Sequence, residues 1–196
     1  MDRHAGASLT LYGRDGRRKY LTPSERRRLI ATAETWPRAE VGTLCLTIAH
    51  TGCRISEALA LTCGSIEQEE CFVVFRSLKK RKKIVFRGVP VPLTYIERMH
   101  RTHLLQTADP AARLWRLSRT QAWVLIKQVM TAAAIVPGPH ATPKGLRHGF
   151  GIHAVRSTVP LNLVRRWLGH ASLATTAIYT EAIGDEEREL ASRMWS

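Results

Sequence analysis

The 196-residue chain carries 30 Lys and Arg against 16 Asp and Glu, a formal charge of +14, and 44% of it is hydrophobic. So apolar a chain buries a real core, which excludes wholesale disorder, and its length suits one domain with a tail. The cationic excess must lie on the surface, where it attracts a polyanion in a salt-sensitive way; nucleic acid is the leading candidate, with an acidic membrane surface or an acidic protein as the alternative.

Residues 1–20 are polar and basic, with Gly6, Gly13 and Gly16 and no clear periodicity, and read as a flexible lead-in to a domain spanning 21–196. A helix starts at Thr22-Pro23-Ser24-Glu25, where Thr22 can cap, Pro23 suits the first helical position and Glu25 completes a capping box. Glu40 to His50 reads as a buried helix stopped by Gly52, and Arg54 to Leu61 as a further short helical turn. Cys71–Phe75 and Ile84–Phe86 are rich in β-branched and aromatic residues and read as strands, with Lys79-Lys80-Arg81-Lys82-Lys83 at the hairpin tip. Helices follow over Leu93–Gln106, Ser118–Ala134, Thr142–Val155, Leu161–Leu168, Ser172–Ala182 and Glu186–Trp195. The expected fold is therefore mainly α with one small antiparallel sheet, an α+β domain.

Cys45, Cys53, Cys63 and Cys71 form no C-x-x-C pair, so no zinc site is expected. Two of them fall in apolar patterns that suit buried thiols, and the chain is read as belonging to a reducing, cytoplasmic compartment. No apolar run follows the charges of Met1 to Thr10, and no stretch is long enough to span a bilayer, so neither a secretory leader nor a membrane partner is expected.

Breaking a phosphodiester without a metal needs a nucleophile, cations to neutralise the pentavalent phosphate, an acid for the leaving oxygen, and a rigid frame. Three segments offer such groups. In Gly52-Cys53-Arg54-Ile55-Ser56-Glu57, Glu57 lies one helical turn from Arg54 and can hold its guanidinium. Taken alone, this pair fits a structural ion pair equally well. In Lys144-Gly145-Leu146-Arg147-His148, Lys144 and Arg147 share one helix face, and a guanidinium suits bidentate phosphate contact; alone, the stretch would pass for a solvated basic face. In Leu168-Gly169-His170-Ala171-Ser172, Gly169 ends a helix and His170 lies in the turn, with Thr175-Thr176 and Tyr179 further along. A lone Tyr or His is usually structural.

In this order and at these spacings, the three segments resemble the tyrosine recombinases, or phage integrases, from about Tyr20 to the C-terminus. The most specific element is Leu168-Gly169-His170 followed by Thr175-Thr176 and Tyr179, supported by Arg54-x-x-Glu57-Ala58-Leu59 and Leu146-Arg147-His148. The resemblance implies a short, stand-alone catalytic-domain type, similar in size to fimbrial phase-switch invertases. It implies that Arg54, Arg147 and His170 hold the scissile phosphate while Tyr179 attacks, leaving a 3′-phosphotyrosyl link and a free 5′-hydroxyl. It also implies a general-acid lysine in the hairpin, where several candidates lie; Lys79, where the first strand gives way to the turn, is favoured over Lys80, and Lys80, Arg81, Lys82 and Lys83 are candidate DNA contacts. Glu57 and His148 have supporting roles.

One departure stands out. Where the family usually carries histidine three residues before the second arginine, this chain has Lys144. The general base is thereby open between a neutral Lys144 and His148. The resemblance further implies double-stranded DNA as partner, a tetramer on a DNA synapse with accessory DNA-bending proteins, a nucleoid location when acting, and no cofactor or metal. Two rival readings share the fold or the chemistry: a catalytically silent DNA-binding regulator and a type IB-like topoisomerase.

Overall fold

The computed structural model describes residues 10–78, 84–180 and Met194. It contains α1 (Pro23–Glu34), α2 (Ala39–Thr51), α3 (Ile55–Ala58), a 3-10 turn (Cys63–Ser65), β1 (Ile66–Glu67), β2 (Phe72–Leu78) and β3 (Ile84–Pro90). These are followed by α4 (Leu93–His103), α5 (Arg119–Ala132), α6 (Pro143–Arg156), α7 (Leu161–Leu168) and α8 (Ala174–Ala177). The expected α+β architecture is what the chain adopts. The hairpin tip 79–83 and the expected helix Glu186–Trp195, apart from Met194, lie outside the described residues.

Local chemistry sets the element ends. Thr22 Oγ1 accepts from the Glu25 amide at 3.3 Å, while the Glu25 carboxylate accepts from the Thr22 amide at 2.9 Å, closing the capping box of α1. α2 ends where Gly52 takes φ 61°, a left-handed conformation that only glycine adopts without cost. Buried on every side from Val41 to Ala49, α2 forms the centre of the main core, and its buried threonines find acceptors on the helix: Thr47 Oγ1 donates to Thr43 O at 2.8 Å and Thr51 Oγ1 to Thr47 O at 2.6 Å.

The sheet is antiparallel in the order β1-β2-β3, with Val73 opposite Val89 and Phe75 opposite Arg87. Val73, Phe75 and Val89 pack into the main core while Phe86 faces outward. β1, two residues long, was not expected.

Residues 10–20 depart from the expected flexible lead-in. The Gly13 amide donates to Arg17 O at 2.7 Å and the Lys19 amide to Leu11 O at 2.8 Å, folding the segment back on itself around Gly16. Leu11 is buried, and the Arg18 guanidinium donates to Glu25 Oε2 at 2.7 Å. Leu11, the packing of Tyr20 on the smaller core and the Arg18–Glu25 ion pair therefore tie a polar stretch to the body.

Helix α6 joins two cores. Its Leu146 enters the main one; its Phe150, Ile152 and Ala154 enter a smaller one with Leu11, Val164, Leu168, Ile178 and Tyr179. The smaller core is what places Tyr179 against α6.

Candidate active site

The three sequence segments meet at one cleft of about 760 Å³ whose walls include Lys19, Arg54, Lys144, Arg147, His170 and Tyr179. Arg54 caps α3 at the mouth, with about half of its side chain exposed. Arg147, on α6, is buried at the base. Its Nη1 donates to Gly52 O at 2.7 Å and its Nη2 to Leu168 O at 2.9 Å. These are the carbonyls at the ends of α2 and α7, so the buried guanidinium satisfies groups that the helices themselves leave open. Burial lowers its pKa to about 10, which leaves it charged at neutral pH.

Glu57 lies between the arginines. It takes the Arg54 backbone amide at 2.7 Å and Arg54 Nη1 at 3.1 Å, and its Oε2 is 3.9 Å from Arg147 Nη1. Its closest guanidinium partner is a residue that sequence reasoning missed. Arg87, on β3, donates Nη2 to Glu57 Oε2 at 2.9 Å and Nη1 to Oε1 at 3.1 Å. Its Nε donates to Trp167 O at 2.9 Å, and its Cζ stacks 4.4 Å above the Phe75 ring. Despite desolvation, these cations hold the Glu57 carboxyl below its ordinary range.

The turn after α7 sets the imidazole. Gly169 adopts φ 66°, and His170 Nδ1 lies 2.9 Å from Thr176 Oγ1, on α8. Burial, reinforced by Arg147 and Arg54, lowers the His170 pKa to about 3, so the ring is neutral. Its plane lies near-parallel to that of Tyr179, with centroids 6.2 Å apart.

Tyr179 has no exposed surface. Of the expected helix Ser172–Ala182, whose last two residues lie outside the described ones, α8 covers Ala174–Ala177, and the Tyr179 amide donates to Thr176 O at 3.1 Å. The ring packs on Gly151, where an added Cβ would lie 2.5 to 2.7 Å from its Cζ and Cε atoms. Gly151→Ala is expected to lower stability by about 1–3 kcal/mol in urea unfolding, although alanine normally favours a helix interior by about 1 kcal/mol over glycine. A stabilised variant would show that the ring does not rest there.

The phenol Oη lies 3.2 Å from His148 Nδ1 and donates to it when that nitrogen is unprotonated. Burial first, then Lys144, Arg147 and Lys19, lower the His148 pKa to about 4, so the ring is neutral and free to accept. Lys144 itself is exposed on the cleft wall. Burial raises the Tyr179 pKa to about 12, against the opposing pull of Arg147 and Arg54. Lys79, Lys80, Arg81, Lys82 and Lys83 lie outside the described residues. Among the described residues no group of three or more His, Cys, Asp or Glu gathers to hold a metal, all four cysteines are free thiols, and no helix is long and apolar enough to cross a membrane.

The chain and its fold have known relatives. The tyrosine recombinase XerA of Pyrococcus furiosus is 28% identical over 186 residues, covering 89% of this chain and 61% of that protein. XerD of Neisseria meningitidis is 32% identical over 138 residues, 66% of this chain and 46% of that protein. The crystal structure of XerA recombinase matches at a TM-score of 0.74 and 26% identity, covering 89% of this chain and 64% of that one. The catalytic domain of bacteriophage HP1 integrase shares the fold, at a TM-score of 0.63 and 20% identity over 89% of this chain and 93% of that one. The chain thus spans about three fifths of the length of XerA and under half of XerD. The Phage integrase family model matches residues 19–184, and the chain belongs to that family.

Proposed function

We propose that this chain is a site-specific DNA recombinase that cuts and rejoins strands through a 3′-phosphotyrosyl bond to Tyr179. The observation that carries the reading is the convergence of Arg54, Arg147, His170 and Tyr179 on one cleft. Donors pre-set around a phosphate stabilise the charge that builds in the transition state without a metal. Tyr179 Oη forms the new bond to phosphorus, and the 5′ oxygen leaves with a proton for which Lys79 is the proposed donor. The bond energy is conserved in the phosphotyrosine, so a 5′-hydroxyl from a partner strand reverses the step without ATP. Double-stranded DNA is the proposed partner; a fold relative, the XerH recombinase, was solved as a post-cleavage complex on its difH substrate at 21% identity. A tetramer at a synapse, accessory DNA-bending proteins and a cytoplasmic location belong to the same proposal.

The test uses duplexes selected for binding from a randomised library, nicked near the candidate cleavage position and incubated with the protein in EDTA. An SDS-resistant protein–DNA band is expected. Tight binding with no band at any nick position would point to a DNA-binding regulator, and sequence-independent plasmid relaxation to a topoisomerase.

Within this reading, His148 accepts the phenol proton and Lys144 supplies positive charge beside it. A phosphodiester anion entering the cleft raises the basicity of His148, while Arg54 and Arg147 stabilise the emerging phenolate. His148→Phe is expected to slow single-turnover cleavage about 100-fold, Lys144→Met less than tenfold. A His pKa depressed from 6.5 to about 4 keeps the ring neutral as pH falls through 6.5, so kcat/KM for cleavage should hold to about pH 5 and fall only near 4. An acid limb near 6.5, or a larger loss from Lys144→Met, would transfer the role to another group.

A further inference from the structure

We infer that Arg87 is a positioning residue of the phosphate site, occupying the Glu57 carboxylate so that Arg54 and Arg147 remain available to a phosphate. The inference rests on the phosphoryl-transfer reading above and adds a residue to it.

Three guanidinium groups surround one carboxylate. A carboxylate that close to Arg54 and Arg147 competes with any phosphate for their N–H groups. Arg87 removes that competition by taking both carboxylate oxygens in a fork, at 2.9 and 3.1 Å. Arg147 Nη1, 3.9 Å from Glu57, is left bonded to a carbonyl, with its remaining N–H groups uncommitted to the carboxylate. Arg54 keeps one side-chain bond to Glu57 and an exposed guanidinium edge.

The third bond of Arg87 fixes the other side of the site. Its Nε holds Trp167 O, and Arg147 Nη2 holds the next carbonyl, Leu168 O. The two arginines together clamp the last turn of α7, from which Gly169 leads into His170. A Cβ at position 169 would sit 3.1 Å from Arg87 Nη1, so the turn packs directly on the guanidinium. Phe75 beneath Arg87 fixes the plane of the fork. Arg87 has little exposed surface, so it acts through Glu57 and the turn rather than on substrate.

Lysine cannot reproduce this. An ammonium offers no planar fork and cannot hold both Glu57 oxygens and Trp167 O in one geometry. Arg87→Lys and Arg87→Met are therefore expected to slow single-turnover cleavage at saturating DNA about 100-fold, with DNA affinity changed less than threefold. A role confined to folding could also slow cleavage, so the deciding variant is the double one. If Arg87 serves to occupy Glu57, adding Glu57→Gln to Arg87→Met removes the competing charge and should recover about tenfold of the lost rate. A scissile methylphosphonate, which has no charge to neutralise, should likewise narrow the gap between Arg87→Met and wild type.

A readout independent of cleavage uses inorganic phosphate as probe, followed by the His170 ring resonances without DNA. Phosphate should perturb His170 in wild type, about tenfold more weakly in Arg87→Met, and again more strongly in the double variant. The proposal is overturned if wild-type His170 does not respond, if Arg87→Met responds like wild type, or if Glu57→Gln deepens the defect of Arg87→Met. A wild type that cuts no DNA yet shows this phosphate pattern would remove the recombinase reading alone and leave Arg87 in its place.

Discussion

Tyr179→Phe is expected to abolish the covalent protein–DNA adduct while leaving the fold and DNA binding in place. The substitution removes one oxygen. In the structure that oxygen lies 3.2 Å from His148 Nδ1, and losing a single buried hydrogen bond costs about 1 kcal/mol. The ring contacts with Gly151 and the near-parallel His170 remain. The proposed phosphate contacts of Arg54, Arg147 and His170 are untouched by the change, so DNA affinity should change less than about threefold. Chemistry has no such reserve, since without Oη no bond to phosphorus can form. Gel mobility in SDS reads the adduct and urea unfolding reads the fold. An adduct that survives in the phenylalanine variant would assign the nucleophile elsewhere.

Arg147→Ala should be the next most damaging change, and in two separable ways. The side chain bridges Gly52 O and Leu168 O, so its removal leaves two helix-terminal carbonyls unpaired in the interior and opens a void. A loss of about 3 kcal/mol in urea unfolding is expected. Measured well below the lowered melting temperature, cleavage should fall about 1000-fold, equivalent to about 4 kcal/mol of transition-state stabilisation. Arg147→Lys should restore more stability than rate, since one ammonium can meet a carbonyl but cannot span both and still face a phosphate. Cleavage by Arg147→Ala within tenfold of wild type would remove the residue from the chemistry.

Much of this site was legible because its signals are local. The capping box at Thr22 and Glu25, the left-handed stop at Gly52, and the pairing of Arg54 with Glu57 three residues on all rest on contacts within one helical turn. The Gly169 stop before His170 was legible for the same reason. Arg87 escaped because its contacts lie 30 and 80 residues away and because the strand inverts the usual hydropathy rule: Phe86 is 65% exposed while its neighbour Arg87 is buried. A cation so close to Lys79–Lys83 reads as one more surface charge. The only hint was its register two residues before Val89, on the same face of the strand.

The segment carrying Tyr179 was misjudged for a related reason. Helical propensity suggested a helix from Ser172 onward, but His170 engages the Thr176 hydroxyl and the smaller core takes up Ile178 and Tyr179, so among the described residues α-helix is confined to Ala174–Ala177. The lead-in at 10–20 was likewise judged on composition, which cannot register that a single Leu11 finds a pocket in that core.

The most direct test is to digest the EDTA-resistant adduct with protease and identify the peptide and the DNA end joined to it. The expected product is the peptide containing Tyr179 esterified to a 3′-phosphate, opposite a free 5′-hydroxyl. A link to any other residue, or to a 5′-phosphate, would contradict the assignment of Tyr179 as the nucleophile held beneath His170.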